Sequence, residues 1–267
     1  MPYVLESKEE FARLERQSKN PSYSFERELS ALNVPTGARI LDAGCGSGLV
    51  TRYLTEQFPT AKAQGCDFSA ERVAQAQAAA PSLEFTQCDL RDTPFPTNTF
   101  DIIVSRYVFQ HLGHKKAAAA LKELYRILKP NGTLLLIDGD GLFVNLYPQT
   151  AIVTSSLRAI ERAGIVDFSV GRKLPNWMQK AGFHNLAWHL NTANHEGASR
   201  AAEVQLMRDR FVTGAAHFRK VLGAEKAKAF ARDFVRGLAD PAATYFTETF
   251  VVIGVKPSPL KLAKRAT

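Results

Sequence analysis

Three carboxylates and three glycines stand at intervals that can build a ligand site. Asp42 precedes Gly44, Gly46 and Gly48 in the run Ile40-Leu41-Asp42-Ala43-Gly44-Cys45-Gly46-Ser47-Gly48. Asp67 follows Gly48 by nineteen residues, within Gly65-Cys66-Asp67-Phe68-Ser69, and Asp89 lies in Cys88-Asp89-Leu90. Glycines carry no Cβ, so a ligand can lie against the backbone of such a turn. A carboxylate placed like Asp67 can accept two neighbouring hydroxyls, the task acidic residues perform at this point of nucleotide-binding sheets. Asp42 can attract an ammonium, directly or through water. Further along, Ser105-Arg106-Tyr107-Val108-Phe109-Gln110-His111 brings in a phenol and an imidazole. His111 is the natural candidate for a general base because imidazole titrates near neutral pH. The reading favoured for it is plainer: it orders its own loop by hydrogen bonding. Tyr107 lines a pocket or simply packs.

These residues need strands to carry them. Arg39–Ala43, Ala61–Asp67, Leu83–Cys88, Phe100–Ser105 and Thr133–Asp138 read as five short strands. Helical spacing fills the intervals, with Ser69 as N-cap of a helix over 69–80 and an apolar stripe of Ala118, Leu121, Leu124 and Leu128 over 115–128. Pro130-Asn131-Gly132 stops that last helix, and Gly132 is expected to supply a positive φ. Strands alternating with helices make a parallel sheet covered on both faces, and ligands bind beyond the carboxyl ends of its strands. The three acids and the glycine turn fall at those ends.

After residue 140 the rhythm loosens. Helices are expected over 149–163 and 172–181, and strands over 186–191 and 245–255. Between those strands lies a helix-rich block, 196–240, in which Phe211, Phe218, Phe230 and Phe234 recur at near-helical spacing, a pattern read as packing among added helices. At the other end, 6–19 reads as a charged amphipathic helix with Phe11, Leu14 and Gln17 on one side, followed by a short helix at 24–33.

The glycine spacing excludes the dinucleotide fingerprint, because position 49 is Leu. Asp-x-Gly-x-Gly-x-Gly at 42–48, Asp67, Asp89 and Leu128-Lys129-Pro130-Asn131-Gly132-Thr133 together resemble the class I S-adenosylmethionine-dependent methyltransferases, in the small-molecule branch similar to quinone and natural-product methyltransferases. The resemblance covers about 37–192 and 244–256. It implies a Rossmann-like α/β fold with a seven-stranded sheet, helices on both faces and an antiparallel last strand. It also implies S-adenosyl-L-methionine as cofactor and S-adenosyl-L-homocysteine as product. On that likeness the cofactor contacts are Asp42, Gly44, Cys45, Gly46, Asp67 for the ribose, Phe68 near adenine, and Asp89 with the Leu90 backbone for the adenine edge. Ser105 and Arg106, on the segment beside the transferable methyl, and Gln17 are further cofactor contacts on that likeness. The Arg106 side chain is expected to face the methionine carboxylate or a surface acid, and the reading favoured for Arg106 is a cofactor-side backbone contact. Tyr3, Arg16 and Gln17 are lid candidates, since related proteins close an N-terminal helix over the cofactor. The expected organisation is a helical lid at 1–36, a core at 37–195 and 241–256, a substrate cap at 196–240 and a flexible tail at 257–267.

Other classes fall away on composition. The net charge is +8, from 34 Lys plus Arg against 26 Asp plus Glu. Residues 37–140 are balanced at eleven of each sign, whereas 141–267 hold eighteen basic against nine acidic residues. That excess is spread over helices and over the last strand's end and the loose tail, where Lys256, Lys261, Lys264 and Arg265 lie, so it reads as solvated surface and argues against nucleic acid as a partner. Ser105-Arg106-Tyr107-Val108 also lacks the paired prolines that methyltransferases acting on exocyclic nucleic-acid amines carry. A tRNA or rRNA methyltransferase and a non-catalytic cofactor-binding protein remain the alternatives to a small-molecule enzyme. Three Cys with no His to complete a ligand set predict small buried hydrophobes and no metal. No apolar run spans a bilayer and no signal peptide is legible, so the expected location is cytoplasmic. The expected acceptor is a small apolar or aromatic molecule with an O, N or C nucleophile.

Overall fold

A computed structural model of the chain describes residues 16–17, 23–164 and 166–258. Most of the expected lid helix at 6–19, with Tyr3, Phe11 and Leu14, lies outside the described residues, as does the tail from 259.

The core strands are β1 (Arg39–Ala43), β2 (Lys62–Asp67), β3 (Glu84–Gln87), β4 (Phe100–Arg106), β5 (Leu128–Asp140), β6 (Leu146–Tyr147), β7 (His184–Asn194) and β8 (Thr244–Val255). They form one sheet in the order β3-β2-β1-β4-β5-β8-β6, with β7 also paired to β8. β1 to β5 are parallel, and β8 runs antiparallel to both β5 and β7. The count is eight rather than seven because the two-residue β6 adds to β8 at Tyr245 and Thr244. The order reverses between β1 and β4, so the carboxyl ends of those two strands flank a crevice.

Alternation places apolar side chains on both faces. Leu41, Ile103, Leu134 and Leu136 pack with Leu121 and Leu124 of α4 (Gly113–Ile127) and Met178 of α6 (Leu174–Lys180). Ile40, Ile102, Val104, Leu135 and Ile137 face the other way, onto Leu54 of α2 (Leu49–Gln57) and Leu29 of α1 (Phe25–Leu29). α3 (Ala70–Ala79) is capped as expected, the Ser69 hydroxyl accepting from Arg72 N–H. No helix among the described residues is long and apolar enough to cross a membrane.

The turn at 129–132 departs from expectation. Positive φ belongs to Asn131 at 61°, and Gly132 is not in the left-handed region. Gly132 is needed for space, because a Cβ there would come within 2.7 Å of Lys129 O. β5 therefore begins early, at Leu128 opposite Phe100, and resumes at Thr133 opposite Ile102 after the irregular turn. Lys256, at the end of the last strand, is buried under this turn rather than solvated. Its Nζ donates to Asn98 Oδ1 at 2.8 Å, Tyr125 O at 2.8 Å and Leu128 O at 2.7 Å. Burial lowers its pKa, yet three acceptors satisfy all three protons of the ammonium. Lys256→Ala leaves those acceptors unmet and is expected to destabilise the protein by about 2 kcal/mol in denaturant unfolding.

The chain after β5 builds a second apolar body. α5 (Ala151–Ala163), α7 (Gly197–Thr213), α8 (Ala215–Leu222) and α9 (Ala224–Ala239) enclose Phe143, Phe168, Phe211, Phe230 and Phe234. The phenylalanines of the 196–240 block are thus packing residues.

Candidate functional site

β1 delivers Asp42 and then the glycine turn. Gly44, Gly46 and Gly48 all have positive φ, at 83°, 54° and 75°. Two of them also permit close approach: a Cβ on Gly44 would collide with Val108, and one on Gly48 would lie 2.8 Å from Phe85. Gly46 is different, since a Cβ there would meet only the flexible end of Arg72, at 3.2 Å. The turn is therefore packed beneath and open at its crest.

Asp67, at the end of β2, reaches across to that crest. Its Oδ2 accepts from Gly46 N–H at 2.8 Å and its Oδ1 from Ser69 N–H at 2.9 Å. Each carboxylate oxygen has a second lone pair free for a ligand hydroxyl. Phe68 beside it is 53% exposed, an apolar face set next to the carboxylate. This cradle, with an acceptor pair and a flat apolar surface, fits a nucleoside.

Asp42 is fully buried below the turn, its Oδ2 accepting from Thr51 Oγ1 at 2.7 Å. Desolvation, with a smaller contribution from the Asp67 charge, raises its pKa to about 7. Asp89 is engaged by Arg91, whose backbone N–H donates at 2.9 Å and whose guanidinium clasps both carboxylate oxygens. Those bonds hold the Asp89 pKa below the usual range. The carboxylate is thus not idle, and a ligand amino group must share it with Arg91. Leu90 is buried in the core, which leaves its backbone for ligand contact. Cys45 is buried against Gly65, so only its backbone lines the turn; burial pushes its thiol pKa up. Cys66 and Cys88 are buried free thiols, and no His/Cys/Asp/Glu group among the described residues can hold a metal.

The side chains of the segment after β4 are engaged within the protein. The Ser105 hydroxyl donates to Ala43 O at 2.8 Å and ties β4 to β1. Arg106 pairs with a buried acid rather than a surface one. Its guanidinium grips the buried Glu28 of α1, Nε to Oε2 at 2.6 Å and Nη2 to Oε1 at 3.2 Å, and lies over the Phe25 and Tyr107 rings. Only the backbone of 105–106 remains for a cofactor. Tyr107 has φ 56°, an unusual conformation for a bulky residue, stored where the chain turns past the glycine loop. Its hydroxyl lies 3.0 Å from Thr249 Oγ1 and 3.3 Å from Glu28 Oε1. Burial and the Glu28 charge raise the Tyr107 pKa well above its usual value, so the phenol stays protonated and is a donor, not a base. His111 ends a 3-10 turn, Phe109–His111, half-buried, its backbone N–H bonded to Val108 O. Gln17 is buried, while Arg16 is salt-bridged to Asp209 of α7 at 2.8 Å.

Several site residues were not anticipated. Glu28 carries no sequence signal, since its partners lie 78 and 79 positions away. Asp138 did carry one: it follows the apolar run Leu134–Ile137 near the carboxyl end of β5. Its carboxylate accepts from Gln110 N–H at 3.1 Å and Gly139 N–H at 2.9 Å, fixing the turn that bears His111. Desolvation raises its pKa to about 7. Such a group adds stability that is complete below the unfolded value of 3.8 and is lost as pH rises through about 7.

Comparison with known proteins bears on the domain and its fold. Residues 40–132 match the model of a methyltransferase-domain family. A malonyl-[acyl-carrier protein] O-methyltransferase of Halalkalibacterium halodurans is 34% identical over 135 residues, covering 47% of this chain and 49% of that protein. A ubiquinone/menaquinone biosynthesis C-methyltransferase of Desulfotalea psychrophila is 29% identical over 106 residues, covering 39% and 42%. The chain thus spans about half the length of the curated relatives it matches. Among solved structures, phosphoethanolamine N-methyltransferase 2 of Haemonchus contortus, in complex with S-adenosylhomocysteine, superposes with a TM-score of 0.58 at 20% identity, covering 88% of this chain and 53% of that one. Residues 40–132 are thus similar to a methyltransferase domain, and the chain shares its Rossmann-like fold with a solved methyltransferase.

Proposed function

We propose that the chain is an S-adenosylmethionine-dependent methyltransferase that methylates a small, apolar or aromatic molecule at an oxygen, nitrogen or carbon nucleophile. The observation that carries this reading is the crest of the glycine turn with the Asp67 carboxylate across it. Bound there, S-adenosylmethionine supplies a methyl group already activated by its sulfonium. Asp67 accepts the ribose hydroxyls, Phe68 lies against adenine, and Asp89 with the Leu90 backbone reads the adenine edge. Asp42 offsets the ammonium charge through the turn. The acceptor is held in line with the methyl by the segment after β4, with the N-terminal segment as lid and α7–α9 as cap excluding water. Tyr107 orients as a hydrogen-bond donor. His111 is kept as the candidate base for an acceptor that arrives protonated. Relatives named as C-, O- and N-methyltransferases leave the attacking atom open.

RNA methylation is the weaker reading because the basic residues of the second half are spread over its helices, and five of the eighteen pair with acids of the protein itself. Arg172 pairs with Asp140, Lys173 with Asp167, Arg210 with Glu203, and Arg232 and Arg236 with Asp233. Incubation with a labelled methyl donor, small-molecule extracts and total RNA separates the two. Label is expected in the small-molecule fraction, and label confined to RNA overturns the assignment.

Asp42 makes the cofactor step pH-dependent. An ammonium beside it favours its ionised form, so binding releases a proton. Affinity is expected to rise with pH up to about 7 and level off above, changing up to tenfold per pH unit on the acid side. Titrations across this range with Asp42→Asn, which should flatten the profile, check the sign.

A further inference from the structure

We propose that Tyr23 is an internal stand-in for the methyl acceptor: its phenol fills a recognition site for a hydroxylated aromatic ring, and a ligand of that class displaces it. The word acceptor rests on the methyltransferase reading above; the binding site does not. Tyr23 is 5% exposed and lies just ahead of α1, far in sequence from everything that reads its hydroxyl. That hydroxyl accepts from Arg210 Nη2 at 2.9 Å and donates to Glu203 Oε1 at 3.4 Å. The Arg210 guanidinium also lies over the ring, 5.7 Å from its centroid. A tyrosine that merely packs needs one partner for its hydroxyl; here a charged donor and a charged acceptor both address it.

Glu203 is the centre of the site. It is fully buried on α7, and its Oε1 also accepts from Tyr245 hydroxyl and Arg210 Nη1, each at 3.4 Å. Its Oε2 is buried with no hydrogen-bond donor among the described residues. A buried carboxylate oxygen without a donor points to a missing one, which a ring with a second hydroxyl would supply. The position suits an acceptor. The Tyr23 ring meets Tyr107 edge-on with centroids 6.0 Å apart, and the next residue, Val108, packs on Gly44 of the glycine turn. The phenol therefore stands one ring away from the segment that borders the cofactor loop. The contacts around Tyr23 include the Arg106 bond to Tyr23 O at 3.3 Å and, next in the chain, the five-residue α1 with its Glu28–Arg106 pair and its buried Leu29. A helix this short has little stability of its own, so it is the part of the fold from which Tyr23 can be released at least cost.

The test uses 4-methylphenol, the tyrosine side chain as a free molecule, with toluene as the control lacking the hydroxyl. Amide hydrogen exchange over 23–29 in the full chain is expected to rise on addition of 4-methylphenol and to stay unchanged with toluene. Tyr23→Phe, which keeps the ring and removes the competing hydroxyl, is expected to bind 4-methylphenol about tenfold more tightly than wild type. Glu203→Gln is expected to abolish the preference over toluene. Equal responses to the two probes, or unchanged exchange with unchanged affinity in Tyr23→Phe, overturn the proposal. A parallel S-adenosylmethionine titration keeps the outcomes apart: lost cofactor binding contradicts the methyltransferase reading while the 4-methylphenol result still decides the site.

Discussion

Phe143→Ala is expected to destabilise the protein by about 3–5 kcal/mol, measured by chemical denaturation, and to lower its melting temperature by roughly 10 °C. Phe143 follows β5 and is 5% exposed. Its ring centroid lies 5.7 Å from Phe168, 5.6 Å from Phe211, 6.1 Å from Phe230 and 5.2 Å from Phe234. Those rings come from three different stretches of chain, so deletion opens a cavity that no single neighbour can collapse into. The residue also has φ 64°, a conformation a phenylalanine adopts only when its surroundings hold it there. Phe143→Leu, which fills part of the space, should lose about half as much. Because the cluster joins 141–168 to α7–α9 and not to the glycine turn, cofactor affinity should hold at temperatures where the variant is folded. A loss below about 1 kcal/mol would mean that the helices are held by something other than this cluster.

Asp67→Ala is expected to weaken S-adenosylmethionine binding by at least about a hundredfold. Two hydrogen bonds to a charged acceptor are removed, each worth about 1.5–3 kcal/mol, and about 1.4 kcal/mol is a tenfold change. The same carboxylate holds Gly46 N–H and Ser69 N–H, so its loss also slackens the crest of the turn. Asp67→Asn keeps one acceptor oxygen and should fall between, near tenfold. Unfolding measurements on both variants separate a slackened loop from a general loss of fold.

The parts legible in sequence were those with local causes. The β1 end at Ala43 followed from an apolar run stopped by the glycine turn, the β2 end at Asp67 from the turn residues after it, and the α3 start from Ser69. The antiparallel last strand came from resemblance rather than periodicity, and the sheet bears it out. What stayed hidden has long-range causes. Arg106 belongs to Glu28, 78 positions away, because both are buried where α1 crosses the end of β4. Asn131 takes the positive φ expected of Gly132, which is needed instead for space against Lys129 O, a close approach no local pattern announces. β7 runs on to Asn194 through polar residues because its register with β8 continues to Phe246. Asp89–Arg91 is two residues apart and was readable, but spacing alone does not say that the guanidinium folds back onto the carboxylate.

The central claim is that the glycine turn and Asp67 bind S-adenosylmethionine. Calorimetric titration of the full chain measures it directly. One-to-one binding in the micromolar range, weakened about a hundredfold in Asp67→Ala, is the result predicted. No heat at high micromolar cofactor, or equal affinity in wild type and Asp67→Ala, would contradict it.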